Sequence, residues 1–371
     1  MVAALDKVHD IEILTFANKR NDPGSIQLFK PRSYRKLVIE TGNYEGILIR
    51  YFGVMGSEFE FLRYRKRKNL KKYFEKFDLV IVVTGILQFA NVIPKLKIPV
   101  YVQCATRLKW ERKSQYGGMK YSKCFLLKIQ IPFLKYQEFR VTHSDYYFLP
   151  ENERMRRWLC KRTKHEVTIW YPGTKQVSVK SRQIKNVFLE KKLISVGRFG
   201  DRRKGWERLI RAYKIAYDKH GPLPELKIVG WGSFDFKTLR LIKEIEKEYP
   251  ITIHSNLSNS DRDQLLADSS IFLQTSFEEG LGLAAIEALS FGLPILCSET
   301  DGSAEYIIEG KTGRRIPQGS RFIADFAHAI SELKNWNLEH MKKSAQELFF
   351  DKFEEKKSSL KLLELISKPE K

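Results

Sequence analysis

The chain has 371 residues, of which 43% are hydrophobic and 12% aromatic, so it is long enough for two globular domains. No apolar run approaches the roughly 20 residues of a transmembrane helix, and no charged-then-apolar signal segment opens the sequence. The cysteines are scattered without the pairing of a metal site or a disulfide framework, so we expect a reduced, cytoplasmic protein. They are Cys104, Cys124, Cys160 and Cys297.

The formal net charge of +22 is concentrated in the first half of the chain. Residues 1–180 hold 35 Lys and Arg against 16 Asp and Glu, whereas residues 181–371 hold 31 against 28. We therefore expect the first half to favour a polyanionic partner, which could be an acidic membrane surface, nucleic acid or a phosphorylated acceptor. An alternative interpretation is that part of the excess only aids solubility.

Strands and helices alternate along the first half. Short β-branched runs predict strands at Val8–Phe16, Gly46–Phe52, Asp78–Thr84, Ile98–Gln103 and Glu166–Trp170. Helices are predicted at Glu58–Phe77, at Ile86–Leu96 and over 119–140, the last interrupted at Pro132. This pattern is typical of a doubly wound α/β domain.

The predicted helix Glu58–Phe77 carries the basic run Arg63-Tyr64-Arg65-Lys66-Arg67-Lys68 among aromatic residues. This run is either a solvated helix face or a surface that lies on an anionic bilayer, with cations at the headgroups. Residues 123–139 either add apolar insertion area or belong to the core.

A turn at Tyr171–Thr174 and a polar stretch to Arg182 predict a linker. We therefore expect a basic first domain at 1–182 and a second domain at 183–345. A helix over 346–371 is expected to cross back to the first domain. The second half again alternates. Its predicted strands are Lys192–Gly197, Glu225–Val229, Ile251–His254, Ile271–Gln274 and Ile295–Cys297, and its predicted helices are Gly205–Tyr217, Phe236–Glu248, Asp261–Ala267, Leu283–Ser290, Arg321–Leu333 and Leu338–Ile366.

Two cations follow the first strand of the second half, in the loop from Val196 to Gly205. Ligands of open α/β sheets bind at such strand ends. Arg198 offers a bidentate fork and Lys204 a point charge, which suit a diphosphate. The alternative, solvated loop cations, is the interpretation that fits Arg202 and Arg203.

A second candidate site is the loop and helix from Ser276 to Pro294. Gly280 and Gly282 allow a close backbone approach where the helix begins, and its N–H groups favour a phosphate or a sugar. Glu287 is the one charge on an apolar helix, so its carboxylate needs a partner such as a ligand hydroxyl or a cation.

These motifs resemble the retaining glycosyltransferases of family four, which have the GT-B fold of two Rossmann-like domains facing a cleft. The matching segments are the E-x7-E spacing of Glu279 and Glu287, Gly197-Arg198 to Lys204-Gly205, Gly230-Trp231-Gly232, and Asp301 to Gly313 with Ser303 in place of a glycine. The resemblance is dense over residues 192 to about 317.

The resemblance implies a cell-envelope glycosyltransferase that retains anomeric configuration and needs no metal or other cofactor. Arg198 and Lys204 would stabilise the leaving diphosphate of a UDP- or GDP-sugar, Glu279 would hold sugar hydroxyls, and Glu287 the ribose. The remaining implied donor-binding residues are Gly197, Gly230, Gly232, His254, Asn256, Leu257, Gly280, Leu281, Gly282 and Leu283.

Two departures concern the first half. The family opens with a strand and a glycine-rich loop, whereas only Met1–Lys7 precede the first strand predicted here. The start is truncated, supplied by a separate subunit, or dispensed with. Many members carry a histidine where this chain has Gln103-Cys104-Ala105-Thr106, which leaves the acceptor-side catalytic residue open; the nearest histidine, His143, is as well explained as a core residue.

Two other functions fit parts of the pattern. A sugar-nucleotide epimerase would use the same fold without an acceptor, and a non-catalytic subunit of a split glycosyltransferase would use it for binding. A nucleic-acid binder would have no use for Glu279 and Glu287, and no nucleic-acid motif is present. We therefore expect a sugar nucleotide and a glycan or lipid-linked acceptor as partners, together with an anionic membrane surface.

Overall fold

The computed structural model describes residues 5, 9–16, 25–30, 32, 39–44, 46–115, 121–176 and 188–367. The chain divides into two compact units, Met1–Tyr171 with Ser358–Lys371 and Pro172–Lys357. This division differs from the predicted boundaries at 182 and 345. The end of the predicted linker, including Arg182, lies outside the described residues.

The first unit contains two three-stranded sheets within its described part, ordered β1-β3-β2 and β4-β5-β6. Strand β2 was missed by the sequence analysis and pairs antiparallel with β3, whereas β1 pairs with β3 in parallel and the second sheet is parallel throughout. The strands are β1 (Glu12–Phe16), β2 (Ile39–Tyr44), β3 (Ile47–Phe52), β4 (Val80–Ile86), β5 (Val100–Thr106) and β6 (Tyr147–Pro150). The predicted strand at Glu166–Trp170 is reduced to an isolated bridge between Val167 and Phe148.

The helix predicted over Glu58–Phe77 is wrong, because this segment forms separate short turns. Its pieces are α1 (Glu60–Arg63), a 3₁₀ turn (Lys68–Leu70) and α2 (Lys71–Phe74). The helix predicted at Ile86–Leu96 is likewise a 3₁₀ segment, Leu87–Val92. The other helices of this unit are α3 (Leu108–Gln115), α4 (Tyr121–Thr142), which continues through Pro132 without interruption, and α5 (Glu153–Cys160).

The core of the first unit lies between its sheets and these helices and includes Phe16, Val82, Val102 and Phe148. A second cluster joins Tyr101, Leu149 and Trp170 to Leu362 and Ile366 of the last helix. The indole Nε1–H of Trp170 donates to the carbonyl of Ser358 at 2.9 Å. The end of the chain is therefore part of the first unit's hydrophobic core.

The second unit is built on one six-stranded sheet, ordered β12-β11-β10-β7-β8-β9, in which every pairing is parallel. The strands are β7 (Lys192–Arg198), β8 (Glu225–Trp231), β9 (Ile251–Ser255), β10 (Ile271–Gln274), β11 (Ile295–Ser298) and β12 (Gly313–Ile316). Near-continuous apolar runs explain this arrangement, because parallel strands are covered on both faces. The predicted strands of this half are confirmed.

The helices of the second unit cover both faces of that sheet. Leu283–Ser290 was predicted with the observed bounds, whereas the single helix predicted over Leu338–Ile366 is two helices. They are α6 (Trp206–His220), α7 (Phe236–Ile245), α8 (Asn259–Ala267), α9 (Leu283–Ser290), α10 (Ser303–Tyr306), α11 (Phe322–Glu332), α12 (Leu338–Lys352) and α13 (Glu355–Ser367), the last of which runs on into the first unit. In the part of the chain that the structure describes, no helix combines the length and apolarity needed to cross a membrane.

Candidate functional site

Four strands of the second unit end side by side at one edge of its sheet. Because β7, β8, β9 and β10 are parallel, their carboxyl ends at Arg198, Trp231, Ser255 and Gln274 share that edge. The loops that follow these strands carry the residues that the sequence singled out. Ligands of open parallel sheets bind at this position.

The first of these loops is held by Asp201. Its carboxylate accepts hydrogen bonds from Arg198 at 2.7 Å and from Arg203 at 2.8 Å. Burial alone would raise the pKa of Asp201, but the hydrogen bonds and charges of the two arginines lower it. Arg203 also reaches Glu278 at 3.4 Å, so the prediction that Arg203 is a solvated loop cation is wrong. The Arg198 side chain remains 52% exposed.

Lys204 and Glu279 meet although they come from different loops. The Lys204 ammonium donates to Oε1 of Glu279 at 2.7 Å, and both side chains are largely buried. The same oxygen accepts from the Ser276 hydroxyl at 2.6 Å and from the Gln274 amide at 3.1 Å. Gly197 lies against the aliphatic stem of Lys204, which a Cβ there would contact at 3.4 Å. Two predicted site residues are thus joined.

The Glu279 carboxylate is positioned from behind by a buried chain of hydrogen bonds. The Tyr306 hydroxyl donates to the Gln274 carbonyl oxygen at 2.9 Å, which fixes the amide group that donates to Glu279. Tyr306 is fully buried. The sequence analysis did not identify Gln274 or Tyr306, because hydrogen bonds between distant elements leave no local pattern.

Arg208 holds the loop that precedes Glu279. Its guanidinium donates to the carbonyl oxygens of Thr275 at 2.6 Å and Ser276 at 2.8 Å, and to the side chain of Gln318 at 2.9 Å. It also lies 3.9 Å from the ring centroids of Phe277 and Phe322. Burial lowers the pKa of Arg208 to about 9. The sequence analysis missed Arg208. The signal that could have found it is its position on the buried face of α6, one turn before the fully buried Ala212.

The turn into α9 requires close backbone contact. Gly282 has a φ of +94° and precedes the first turn of the helix, whose leading N–H groups have no acceptor within the helix itself. The N–H of Gly302 donates to the Glu279 carbonyl at 3.0 Å, and a Cβ at Gly302 would lie 2.4 Å from the carbonyl oxygen of Leu281. Gly302 therefore supports this loop. The predicted contacts of Gly280 and Leu283 with a donor stay predictions.

Glu287 lies on α9, and its carboxylate has a cationic neighbour on α8. Its Oε2 is 3.9 Å from Arg262, and its side chain is 30% exposed. Burial raises the pKa of Glu287, and the charge of Arg262 opposes that rise. The Glu287 side chain is thus partly accessible and lies beside a cation, which is one of the two kinds of partner that the sequence analysis expected for it.

The loops after β8 and β9 contact each other. The Asn256 N–H donates to the Gly230 carbonyl at 2.8 Å, and the Asn256 side chain accepts from the Gly232 N–H at 3.4 Å. Asn256 has a φ of +55°, and a Cβ at Gly230 would lie 2.0 Å from the Gly197 carbonyl oxygen. His254 is half-buried, its pKa is lowered by burial, and Leu257 is 36% exposed.

Within the described residues no cluster of three or more histidine, cysteine or acidic side chains could hold a metal ion. What the edge does offer is two cations, Arg198 and Lys204, beside the start of a helix and a fixed carboxylate. Such a set can bind a diphosphate and orient the hydroxyls of an attached sugar.

The first unit has a buried acid at the carboxyl end of its parallel sheet. Glu151 follows β6 and accepts a hydrogen bond from Gln103 on β5. Burial raises the pKa of Glu151 to about 7, against the opposing effect of that hydrogen bond. Burial also raises the pKa of Cys104. His143 is exposed, so its interpretation as a core residue is wrong.

The sheets and helices of the two units define an α/β protein of the GT-B class. Residues 180–348 match the family described as Glycosyl transferases group 1. The match covers the segment in which the sequence resembles the glycosyltransferases, and it confirms that resemblance at the level of group 1.

Similar proteins agree with that family. Over 109 residues the chain is 33% identical to the UDP-N-acetylglucosamine–peptide N-acetylglucosaminyltransferase GtfA subunit of Streptococcus gordonii, covering 29% of this chain and 21% of that one. Over 158 residues it is 29% identical to an uncharacterized glycosyltransferase of Haemophilus influenzae, covering 40% and 44%. The matched parts therefore span less than half of each of these relatives.

Solved structures agree with the fold. The sucrose-phosphate synthase of Thermosynechococcus elongatus superposes with a TM-score of 0.68 at 18% identity, covering 98% of this chain and 90% of that one. WaaG, a glycosyltransferase involved in lipopolysaccharide biosynthesis, gives 0.66 at 17% identity, covering 99% and 94%. The predicted GT-B fold is confirmed.

Proposed function

We propose that this protein transfers a sugar from a nucleoside-diphosphate sugar to a glycan or lipid-linked acceptor, with retention of anomeric configuration and without a metal. The observation that carries the proposal is the buried contact between Lys204 and Glu279 at the carboxyl edge of the second unit's sheet. A cation and a carboxylate so placed match the two adjoining parts of a sugar nucleotide, its diphosphate and its sugar.

The cations would stabilise the leaving group. An ammonium group has three N–H donors, so Lys204 can bind a phosphate oxygen while it keeps its contact with Glu279. Arg198 has further N–H donors besides the one that Asp201 accepts. Negative charge grows on the diphosphate as its bond to the sugar breaks, and preorganised donors stabilise that charge without a metal.

The carboxylates would orient the donor. Glu279 is held by Ser276, Gln274 and Lys204 on one oxygen, and we assign it to hydroxyls of the transferred sugar. Glu287 is assigned to the ribose, and the loops at Gly230–Gly232 and His254–Leu257 to the base. The name of the GtfA subunit includes a UDP-sugar, which favours UDP over GDP here.

The acceptor and the setting are proposed more broadly. A glycan or lipid-linked acceptor of cell-envelope polysaccharide synthesis would suit the positive first half and a place on the inner face of the membrane. The name of WaaG, which mentions lipopolysaccharide biosynthesis, supports this setting. One relative is named as a subunit, so a partner chain stays an alternative for this protein. The Lys204–Glu279 pair favours an active enzyme over a non-catalytic subunit.

The test is incubation of the full chain with UDP- and GDP-sugars, with and without candidate acceptors, while nucleotide release is recorded. Transfer should depend on the acceptor and should persist in EDTA, and the anomeric configuration of the product, read by NMR, should equal that of the donor. An isomerised sugar nucleotide formed without any acceptor would instead establish an epimerase. An inverted product, or loss of activity in EDTA, would refute retention or metal independence.

A further inference from the structure

Helix α4 turns a row of large apolar side chains toward solvent. These residues are between 49% and 62% exposed and recur every three or four positions, so they lie on one face of the helix. They are Phe125, Ile129, Phe133, Tyr136 and Phe139. A helix of a soluble protein normally turns such a stripe to the core.

The opposite face of α4 is fixed by polar contacts, which prevent the helix from rotating to bury those rings. Gln130 accepts from the Glu60 N–H at 2.6 Å, and Gln137 donates to the Phe61 carbonyl at 2.8 Å. Glu138 forms a two-point ion pair with Arg107, both contacts at 3.0 Å. Rotation would break all of these bonds, so the outward orientation of the rings is built into the fold.

Neighbouring loops extend the same surface. The Phe133 ring stacks on Phe61 at 4.6 Å, Phe61 contacts Phe59 at 5.9 Å, and Phe59 contacts Phe29 at 5.7 Å. Phe29 is 74% exposed. We call the exposed row on α4, together with Phe29, Phe59 and Phe61, the aromatic face.

Cations accompany the aromatic face. Lys128 and Lys135 are exposed on α4. At the end of the helix, Arg140 lies near Lys66, whose pKa is lowered by burial and then by the charges of Arg140, Lys68 and Lys95. Among the residues that the structure describes, no carboxylate forms an ion pair with any of these six cations. They are Lys66, Lys68, Lys95, Lys128, Lys135 and Arg140.

We propose that the aromatic face lies on an anionic lipid bilayer, with its rings at the boundary between headgroups and acyl chains and its cations at the anionic headgroups. A second copy of the chain is a poorer occupant, because a two-fold contact through this face would bring like charges together. This inference rests on the proposed function, for which it names the anionic membrane as a partner. Vesicle binding needs no sugar donor, so its failure is distinguishable from a failure of sugar transfer.

The sequence placed the membrane surface on the basic run at 63–68 and gave residues 123–139, which lie on α4, as either added insertion area or core. The basic run at 63–68 does not form one helix. Arg67 belongs to the fold, because its backbone N–H donates to the Val92 carbonyl at 2.9 Å and its guanidinium lies 5.9 Å from the Phe16 ring centroid. A charge-reversal test should therefore leave Arg67 intact and change Lys66 and Lys68.

The experiment is co-sedimentation of the full chain with vesicles of phosphatidylcholine, alone or mixed with phosphatidylglycerol, at low and high salt. The wild type should bind the mixed vesicles at low salt and less at high salt. The triple variant Phe125→Ser, Ile129→Ser, Tyr136→Ser should partition at least about tenfold more weakly. The double variant Lys66→Glu, Lys68→Glu should lose most of the salt-dependent binding to the mixed vesicles, which is again a loss of about tenfold.

The matched control is Phe236→Ser with Leu239→Ser, which removes exposed apolar side chains from a helix of the second unit and should leave binding unchanged. Circular dichroism and UDP calorimetry verify that every variant is folded. The proposal is overturned if the wild type does not bind anionic vesicles at low salt. It is also overturned if the control variant loses as much binding as the triple variant. A wild-type dimer in sedimentation velocity that the triple variant converts to a monomer overturns it as well.

Discussion

The ammonium nitrogen of Lys204 lies 2.7 Å from Oε1 of Glu279, although 75 positions separate the two residues in the chain. Each residue follows a strand of the same parallel sheet, one after β7 and the other after β10, and these two strands are neighbours. The topology thereby brings together the cation that we propose binds the phosphate and the carboxylate that we propose holds the sugar. The predictions below separate their contributions.

Removing the cations should weaken nucleotide binding. Lys204→Ala or Arg198→Ala should cost about 1.5–3 kcal/mol of UDP affinity for each lost charge-assisted contact. The larger effect is expected at Lys204, whose side chain is 17% exposed against 52% for Arg198, because water screens the exposed charge more. Isothermal calorimetry with UDP and GDP measures both. Lys237→Ala, at an exposed lysine of the same unit, is the control, and unchanged affinity in both test variants would contradict the phosphate assignment.

Neutralising Glu279 should separate turnover from nucleotide binding. Glu279→Gln keeps an oxygen that can accept from Ser276 and Gln274 but removes the charge that Lys204 meets. Turnover should fall by about a hundredfold or more, in the range seen when one preorganised polar contact to the transition state is lost. UDP affinity should change little. Steady-state kinetics and calorimetry are compared, and equal losses in both would make Glu279 a structural residue.

Five of the six strands of the second unit could be predicted because they are short apolar runs bounded by glycine or polar turns. Strand β12 (Gly313–Ile316) was missed because its two central residues are arginines. The first unit was harder. Strand β2 contains Gly42 and Asn43, which favour turns, and it is ordered as a strand by antiparallel pairing with β3. The stretch Glu58–Phe77 is rich in good helix formers, yet the bond from Arg67 N–H to Val92 and the adjoining 3₁₀ turn override that local preference.

Residues of the candidate site could be predicted where they lie at the carboxyl edge of the second unit's sheet. They could not be predicted where they act through other residues. Arg198 ends β7, and Lys204 and Glu279 lie in the loops that follow β7 and β10, so their position followed from the order of elements. Arg208 and Tyr306 act on a backbone loop and on another side chain, and such partners become neighbours only when the sheet has formed.

Arg208 should contribute mainly to stability. Its guanidinium satisfies the buried carbonyl of Thr275 and shares that of Ser276 with Gln318 and Ser298. Arg208→Met keeps the aliphatic stem but leaves the Thr275 carbonyl dependent on other donors, so a loss of about 1–3 kcal/mol is expected. Urea unfolding followed by tryptophan fluorescence measures it. Arg211→Met, at an exposed position one turn later on α6, should have little effect, and equal losses would contradict a specific role for Arg208.

Glu151 should make the stability of the protein depend on pH. Burial raises the pKa of Glu151 from an ordinary 4.5 to about 7 in the folded state, so the folded chain keeps this proton over a range in which the unfolded chain loses it. Stability should therefore fall as the pH rises from about 4.5 to about 7, by up to about 3 kcal/mol for this group alone. Glu151→Gln removes the titrating proton and keeps an oxygen for Gln103.

Urea unfolding at pH 5 and pH 8 tests this expectation. The Glu151→Gln variant should gain stability over the wild type at pH 8, and the gain should shrink toward pH 5. The matched control is Glu153→Gln, two positions later, because hydrogen bonds from Arg156 and Arg157 lower the pKa of Glu153 to about 2. Glu153 stays ionised from pH 5 to pH 8, so its variant should show a pH-independent difference from the wild type. If Glu151→Gln gives the same difference at both pH values, Glu151 is ionised in the folded protein throughout this range, and the buried proton is refuted.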